Sequence, residues 1–412
     1  MQDIELYQHI LGLKTPWSVS SVQLDVAAQR VEVTAEHPGG TRFHCPECDD
    51  SAEPLPCYDH AAERQWRHLD SCQFRTILKA RTPRVNCPTH GVKQVSLPWT
   101  LKGSRFTLLF ERFAIDVLLA TQTVKGAMSI LGTKWDQTWG IIERAVARGL
   151  LRKEDKQLPR IGIDEKAFAK GQSYITLLYD LDNSTVEAIS DGNNTEAGIE
   201  CLSRLSNEQI NSVEAIAMDM SAAYVKAAKQ VIPLADNKIV HDRFHIMQLA
   251  TKAVDQVRRK EHKKLKANDD NRLAKTRYVW IKNLSNLSEK QQALFDETYD
   301  LQLQTGKAWA YKEMLRDLWT QPDPQTATGY FKDWYRRVIH TKLEPMKKVA
   351  RTIKERLDNV VSYCKHQITN AVAEGINSKI MAIKRRVGGY RNRQNFKTAV
   401  FFYCGGLSLY PH

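Results

Sequence analysis

Three acidic residues have the type and placement to gather divalent metal ions. Asp164 closes the apolar run Pro-Arg-Ile-Gly-Ile-Asp, and Asp219 closes Val-Glu-Ala-Ile-Ala-Met-Asp. Glu374 lies within Ile-Thr-Asn-Ala-Val-Ala-Glu-Gly-Ile-Asn-Ser-Lys-Ile, a stretch with helical patterning. Two carboxylates at strand ends and a third on a distant helix can hold a pair of Mg²⁺ (or Mn²⁺) ions for cutting phosphodiester bonds. Carboxylates suit this task because Mg²⁺ prefers hard oxygen ligands. Glu165 is a competitor, but alternation along a strand turns it to the face opposite Asp164. Asp242 and His245 follow a further short strand and are candidates to support the site or position a substrate, with turn and helix-cap roles as the plain alternative. Glu344 and Glu355 read as solvent-facing helix charges.

A second group of ligating residues has a different chemistry. Cys45-Pro-Glu-Cys48 and Cys87-Pro-Thr-His90-Gly91 each place two ligands two residues apart on a tight turn. Two such knuckles complete a tetrahedron around a structural Zn²⁺ and leave no open coordination position. Cys57 and Cys72 belong to no pair and are expected to be buried structural cysteines.

The elements that must position these residues change character along the chain. Val22-Gln-Leu-Asp-Val and Arg30-Val-Glu-Val-Thr read as a β hairpin, and the segment from Cys72 to Ala80 as a strand. After Pro98 the pattern becomes helical, with helices beginning near Thr107, Thr123 and Trp135. The turn between the second and third contains Gly132, which is the layout of a helix-turn-helix. On that reading Lys134, Asp136, Gln137 and Thr138 are exposed toward DNA. From Arg160 three short strands form an antiparallel meander, followed by helix, strand, helix and strand. That order is the order of a ribonuclease H-like fold, in which carboxylates at the ends of the first and fourth strands meet.

From His245 to about Val360 the chain reads as almost wholly helical, a helical insertion whose tryptophans (Trp280, Trp309, Trp319, Trp334) are expected in its core. Between positions 379 and 397 there are seven basic residues and no acid: Lys379, Lys384, Arg385, Arg386, Arg391, Arg393 and Lys397. Such a stripe beside a metal site can clamp phosphates. The expected organisation is thus α/β: hairpin and zinc ribbon (1–98), helix-turn-helix (99–155), catalytic domain (156–245), helical insertion (246–361), and the rest of the catalytic domain with its basic segment (362–412).

Bulk properties narrow the substrate. The 412 residues carry 60 Lys and Arg against 47 acids, a net charge of +13 and a pI near 9.2, which favours a polyanionic partner. No stretch approaches the roughly 18 apolar residues of a membrane span, and the N-terminus lacks a secretory layout, so no membrane partner and a cytoplasmic location are expected.

Together these motifs resemble the DDE transposases of bacterial insertion sequences, in particular the ISL-three family. The resemblance rests on Cys-Pro-x-Cys with Cys-Pro-x-His-Gly, Ile161-Gly-Ile-Asp-Glu, Ala217-Met-Asp-Met-Ser, Asp242-Arg-Phe-His-Ile and the long motif from Ala373 to Arg386. One departure is Arg386-Val-Gly-Gly-Tyr, where a bulkier residue is expected before the Gly-Tyr pair. The resemblance implies that Asp164, Asp219 and Glu374 form the catalytic triad. It further implies that double-stranded DNA, both element ends and target, is the substrate, and that a homodimer pairs the ends. Two other readings are a non-catalytic DNA-binding regulator on the same scaffold and a structure-selective nuclease.

Overall fold

The computed structural model describes residues 3–49, 53–169, 173–299 and 302–411. After helix α1 (Asp3–Ile10), the N-terminal sheet comprises β1 (Ser18–Asp25), β2 (Arg30–Glu36), β3 (Arg42–Phe43), β4 (Leu55–Arg67), β5 (Arg75–Cys87) and β6 (Gly91–Gln94). The strands run in the order β1-β2-β5-β4-β3, with β6 also paired to β5. Alternation sets its buried face: Val31, Val33 and Ala35 of β2 point inward with Leu78 and Ala80 of β5. Trp66 and Trp99 close this core in an edge-on pair 5.7 Å between ring centres. The expected hairpin is the antiparallel β1–β2 pair. Cys72 departs from expectation. It is exposed in a left-handed turn (φ 59°) before β5 begins, so no core surrounds its thiol.

Three helices follow: α2 (Leu108–Thr121), α3 (Val124–Leu131) and α4 (Trp135–Leu151). Thr107 and Thr123 cap the first two by accepting from backbone N–H groups of the first turn, and Gly132 ends α3 at φ 61°. Buried Glu111 is met by Arg144 of α4 and by the Ser104 hydroxyl at 2.8 Å. This small core is not closed by its own helices alone. Ala399, Phe402 and Leu409 from the far end of the chain enter it, and Arg148 donates to the Leu409 carbonyl at 3.1 Å.

The central sheet contains β7 (Arg160–Ala169), β8 (Ser173–Asp180), β9 (Thr185–Asp191), β10 (Ala215–Met218) and β11 (Ile239–His241). Between β9 and β10 lie α5 (Thr195–Leu202) and α6 (Asn207–Ser212), and α7 (Ala222–Val231) precedes β11. The strand order is β11-β10-β7-β8-β9, with β7, β10 and β11 parallel and β7-β8-β9 antiparallel. Near-continuous burial of β8, β9 and β10 follows from covering both faces. Leu178, Ala188 and Ile216 meet Cys201 and Tyr224 on the α5–α7 side, while Leu177 and Tyr179 face the opposite helical layer.

That layer starts with α8 (Arg243–Lys266) immediately after β11. It continues through α9 (Arg277–Ile281), α10 (Glu289–Thr298), α11 (Gln304–Arg316), α12 (Pro324–Ile339), α13 (Glu344–Lys354), α14 (Leu357–Val361) and α15 (Tyr363–His366). Trp280, Trp309, Trp319 and Trp334 are buried, and one apolar cluster runs from them to the sheet. The chain then returns as α16 (Ala371–Arg386) and α17 (Arg393–Cys404). Among the described residues, no helix is long and apolar enough to cross a membrane.

Candidate functional site

Strand register brings the acidic residues together. β10 pairs with β7 through Ala215↔Arg160, Ile216↔Ile161 and Ala217↔Gly162, an offset of 55 (215 − 160). The same offset carried two residues on sets Asp219 beside Asp164. β10 pairs with β11 through Ile216↔Ile239 and Met218↔His241, an offset of 23 (241 − 218), which sets Asp242 beside Asp219. Three carboxylates thus form a row across adjacent parallel strands, whose spacing is about 4.8 Å. Asp164 does not end its strand, contrary to the sequence reading. β7 runs on to Ala169 because its hairpin partner β8 keeps pairing to that point, so the row lies where β10 and β11 stop.

Helices supply the remaining groups. Glu374, on the first turn of α16, joins Asp242 and His245, with one ligand atom of each lying within 4.8 Å of the others. Asp242 also caps α8, since one carboxylate oxygen accepts from the Phe244 N–H at 3.1 Å. Its other oxygen is buried and has no hydrogen-bond partner among the described residues, with His245 Nε2 4.0 Å away. The cap role and a ligand role therefore use different oxygens. Asp164, Asp219 and Glu374 do not themselves close to that ligand distance as a trio. A two-ion site does not require it, because ions about 3.5–4 Å apart spread the ligands.

One residue that sequence reasoning missed locks helix to strand. Asn377 lies one turn beyond Glu374 on α16 and donates from Nδ2 to Asp164 Oδ2 at 2.7 Å. The buried Tyr179 hydroxyl donates to Asn377 Oδ1 at 2.6 Å, which fixes the amide orientation. Lys166 Nζ stands 3.4 Å from the same Asp164 oxygen, two residues along β7 and on the same face. Gly162 allows α16 to come this close. A Cβ there would meet Leu181 Cδ2 at 2.9 Å and Asn370 Oδ1 at 3.2 Å, and Asn370 is the cap position of α16. The signal for Asn377 was available: it sits three residues after Glu374, on the same helical face.

The electrostatics are those of crowded acids. Burial pushes Asp219 above the usual carboxylate range, with Asp164 adding repulsion and the Ser221 N–H and His245 opposing it. Burial raises Glu374 as well, followed by Asp242 and Asp164 as repelling neighbours. Asp242 is raised by burial first, against its Phe244 N–H bond, His245 and Arg243. Glu165 is likewise raised, first by burial, but its hydrogen-bond partners are Tyr224 and Asn193. Its strand partner Thr176 bonds the Tyr224 hydroxyl at 3.0 Å on the α5–α7 side, so Glu165 faces that side, as alternation required, with Asp219 and Asp164 still near enough to repel it. A cation bound among them would offset the burial and repulsion that drive these carboxylates up.

The cysteine knuckles also converge. Cys48 Sγ is 3.6 Å from Cys87 Sγ, and His90 Nδ1 lies 3.7, 3.4 and 3.6 Å from Cys45, Cys48 and Cys87. A tetrahedron with Zn–S about 2.3 Å and Zn–N about 2.0 Å has edges of about 3.5–3.8 Å. The four side chains fit structural zinc.

The expected DNA-contacting residues divide. Lys134 is exposed at the start of α4, and Gln137 accepts from its backbone N–H at 2.9 Å. Thr138 is a correction: it is fully buried, bonded to the Thr133 hydroxyl at 2.7 Å, because it falls on the inner face of α4. In the basic stripe, Lys379 donates to the Tyr403 carbonyl at 2.7 Å and Lys384 to that of Ala167 at 3.1 Å. Arg393 reaches Ser173 at 2.8 Å, and both it and Lys397 pair with Asp191. The stripe lacks acids in sequence but acquires one from β9. Arg385, Arg386 and Arg391 are exposed, and Arg386 also bonds Gln122 of the three-helix segment.

Residues 161–400 match the family model of ISL3-type DDE proteins, described as "Transposase". Residues 41–90 match that described as "zinc-finger of transposase IS204/IS1001/IS1096/IS1165". The transposase for insertion sequence element IS1001 of Bordetella parapertussis is 25% identical over 338 residues, covering 81% of this chain and 82% of the relative. The transposase for insertion sequence element IS1557 of Mycobacterium tuberculosis is 25% identical over 430 residues, covering 96% and 94%. With the family model spanning more than half its length, including the acidic row and the helix that completes it, the chain belongs to the ISL3 family of DDE transposases.

Proposed function

We propose that this protein binds the terminal inverted repeats of an insertion sequence, cuts the DNA strands there and joins the freed 3′ ends to target DNA. The observation that carries the reading is the register that lines up Asp164, Asp219 and Asp242, with Glu374 brought against the end of that row. In this proposal the central sheet is a ribonuclease H-like catalytic core. Asp164, Asp219 and Glu374 would hold two Mg²⁺ or Mn²⁺ ions, with the buried Asp242 oxygen that makes no hydrogen bond among the described residues as a further ligand. The chemistry such ions would supply there is a lowered pKa for the attacking hydroxyl and charge neutralisation at the leaving oxygen.

The chain's own residues do the positioning. Asn377 and Lys166 fix the Asp164 carboxylate, and His245 sets a polar hydrogen-bonding group beside Glu374 and Asp242. α3 and α4 act as a helix-turn-helix, offering Lys134 and the exposed edge of α4 to the element end. Arg385, Arg386 and Arg391 meet phosphates beside the cut. Two chains pair the two ends of the element as a dimer on DNA.

The test uses purified protein and DNA ending in the element's terminal repeats. Cleavage and joining are expected with Mg²⁺ or Mn²⁺, and Asp219→Asn should abolish both while leaving end binding intact. Tight end binding by the wild type with neither cleavage nor joining would establish a regulator instead.

A further inference from the structure

A second group of metal-ligating side chains converges in the N-terminal sheet, apart from the four-ligand cluster and the carboxylate row. The Nε2 atoms of His37 and His60 are 2.9 Å apart, and Cys57 Sγ is 3.8 Å from His60 Nε2. One ligand atom from each of the three residues lies within 4.8 Å of the others. His37 directly follows β2, whereas Cys57 and His60 both belong to β4. Regular pleating sends residues three apart to opposite faces. A register irregularity between Cys57 and Asp59 re-phases β4, and both side chains reach His37.

His37 is held by three rings: it lies nearly parallel to His60, 16° apart with centres 5.1 Å away. Its ring stands edge-on to Trp17 and Phe43, with centres 5.2 and 4.9 Å away. Its Nδ1 lies 3.0 Å from the Pro38 carbonyl oxygen, which can only accept, so Nδ1 carries the proton and donates. Nε2 is left as a lone pair facing His60 Nε2, which Cys57 Sγ also approaches. Metal-binding imidazoles have this arrangement, one nitrogen donating to a carbonyl and the other facing the ion.

We propose that His37, Cys57 and His60 form a second transition-metal site that takes a borderline divalent ion such as Zn²⁺. Two imidazoles and a thiolate select this class over Mg²⁺ or Ca²⁺, which require oxygen. At a metal–nitrogen length of about 2.0–2.1 Å, the nitrogen separation spans an angle of roughly 90° at a single ion. Three protein ligands with His60 exposed leave a position for water, so this ion exchanges more readily than the four-ligand zinc. When bound, it ties the end of β2 to β4.

The test dialyses the full-length protein to equilibrium against micromolar free Zn²⁺ in millimolar Mg²⁺, which occupies the catalytic carboxylates. Zinc per chain is measured for wild type, His60→Gln and His37→Gln, while Cys57 alkylation is followed by peptide mass spectrometry. Each variant is expected to bind one zinc fewer than wild type. Zn²⁺ should slow Cys57 alkylation at least about tenfold in wild type and leave it unchanged in His60→Gln. Equal zinc content in wild type and variants, with Cys57 reacting at one rate with and without Zn²⁺, would overturn the site.

Discussion

Asn377 ties the two halves of the acidic site together through one hydrogen bond, and its removal separates geometry from charge. Its amide donates to Asp164 while Tyr179 donates to it, so the carboxylate is held by a buried side chain that carries no charge. A hydrogen bond to a charged group contributes about 1.5–3 kcal/mol. Asn377→Ala should therefore slow cleavage by about 10–100-fold at limiting Mg²⁺, with part of the loss recovered at high Mg²⁺ and end binding unchanged. Tyr179→Phe should act in the same direction and less strongly, because it frees the amide without removing its donor. Wild-type rates for Asn377→Ala across the Mg²⁺ titration would show that Asp164 needs no such support. Thr138 gives the opposite lesson at this scale. A polar residue near a helix start reads as exposed, yet its hydroxyl bonds Thr133 and the Lys134 carbonyl and turns inward.

At the scale of elements, the site depends on how closely α16 approaches β7, and Gly162 sets that distance. An added methyl there meets the cap position Asn370 and the side chain of Leu181 at distances that require one of them to move. Gly162→Ala should cost about 1–3 kcal/mol of stability and lower cleavage by displacing Glu374 and Asn377 together. Pairing it with Leu181→Ala makes room on one side and should restore part of both, as read by thermal unfolding and cleavage rate. A Gly162→Ala protein that is fully stable and active would show that the approach has slack. The elements themselves were legible because their signals are local. The Thr107, Thr123 and Gly132 caps mark helix ends, and the Asp182-Asn183-Ser184 turn separates β8 from β9. What was not legible depends on partners distant in sequence. The extension of β7 past Asp164 is decided by pairing with β8, the acid that meets Arg393 and Lys397 arrives from β9, and the core of α2–α4 is completed by α17 and Leu409. Asp242 was readable as a capping residue, but its place beside His245 and Glu374 depends on the β10–β11 register.

For the whole molecule, the acidic row couples stability to pH and to divalent ions. Asp219, Asp242 and Glu374 all have folded-state pKa values raised first by burial, with Asp164 as a repelling neighbour of each. A raised carboxylate binds its proton more tightly in the folded chain than in the unfolded one. Its contribution to stability is therefore fully present below the ordinary carboxylate pKa of about 4 and is lost as pH rises through the folded value. The metal-free protein should lose stability from this region as pH climbs toward neutrality. A cation bound among the same carboxylates reverses that penalty, and an ion at about 100 times its Kd adds about 2.7 kcal/mol. The rise in Tm on adding Mg²⁺ or Mn²⁺ should accordingly be larger at pH 7.5 than at pH 4.5, where protonated carboxylates bind metal poorly. Asp219→Asn removes a carboxylate whose charge is disfavoured first by burial and then by Asp164. It should raise the metal-free Tm at pH 7.5, shrink the metal-induced rise and abolish cleavage, so that a more stable protein is also inactive. Thermal unfolding in chelator and in metal, at both pH values and for both proteins, measures all of these at once. If chelator and metal give the same Tm for the wild type at pH 7.5, the carboxylates do not act as one metal site, and their crowding needs another explanation.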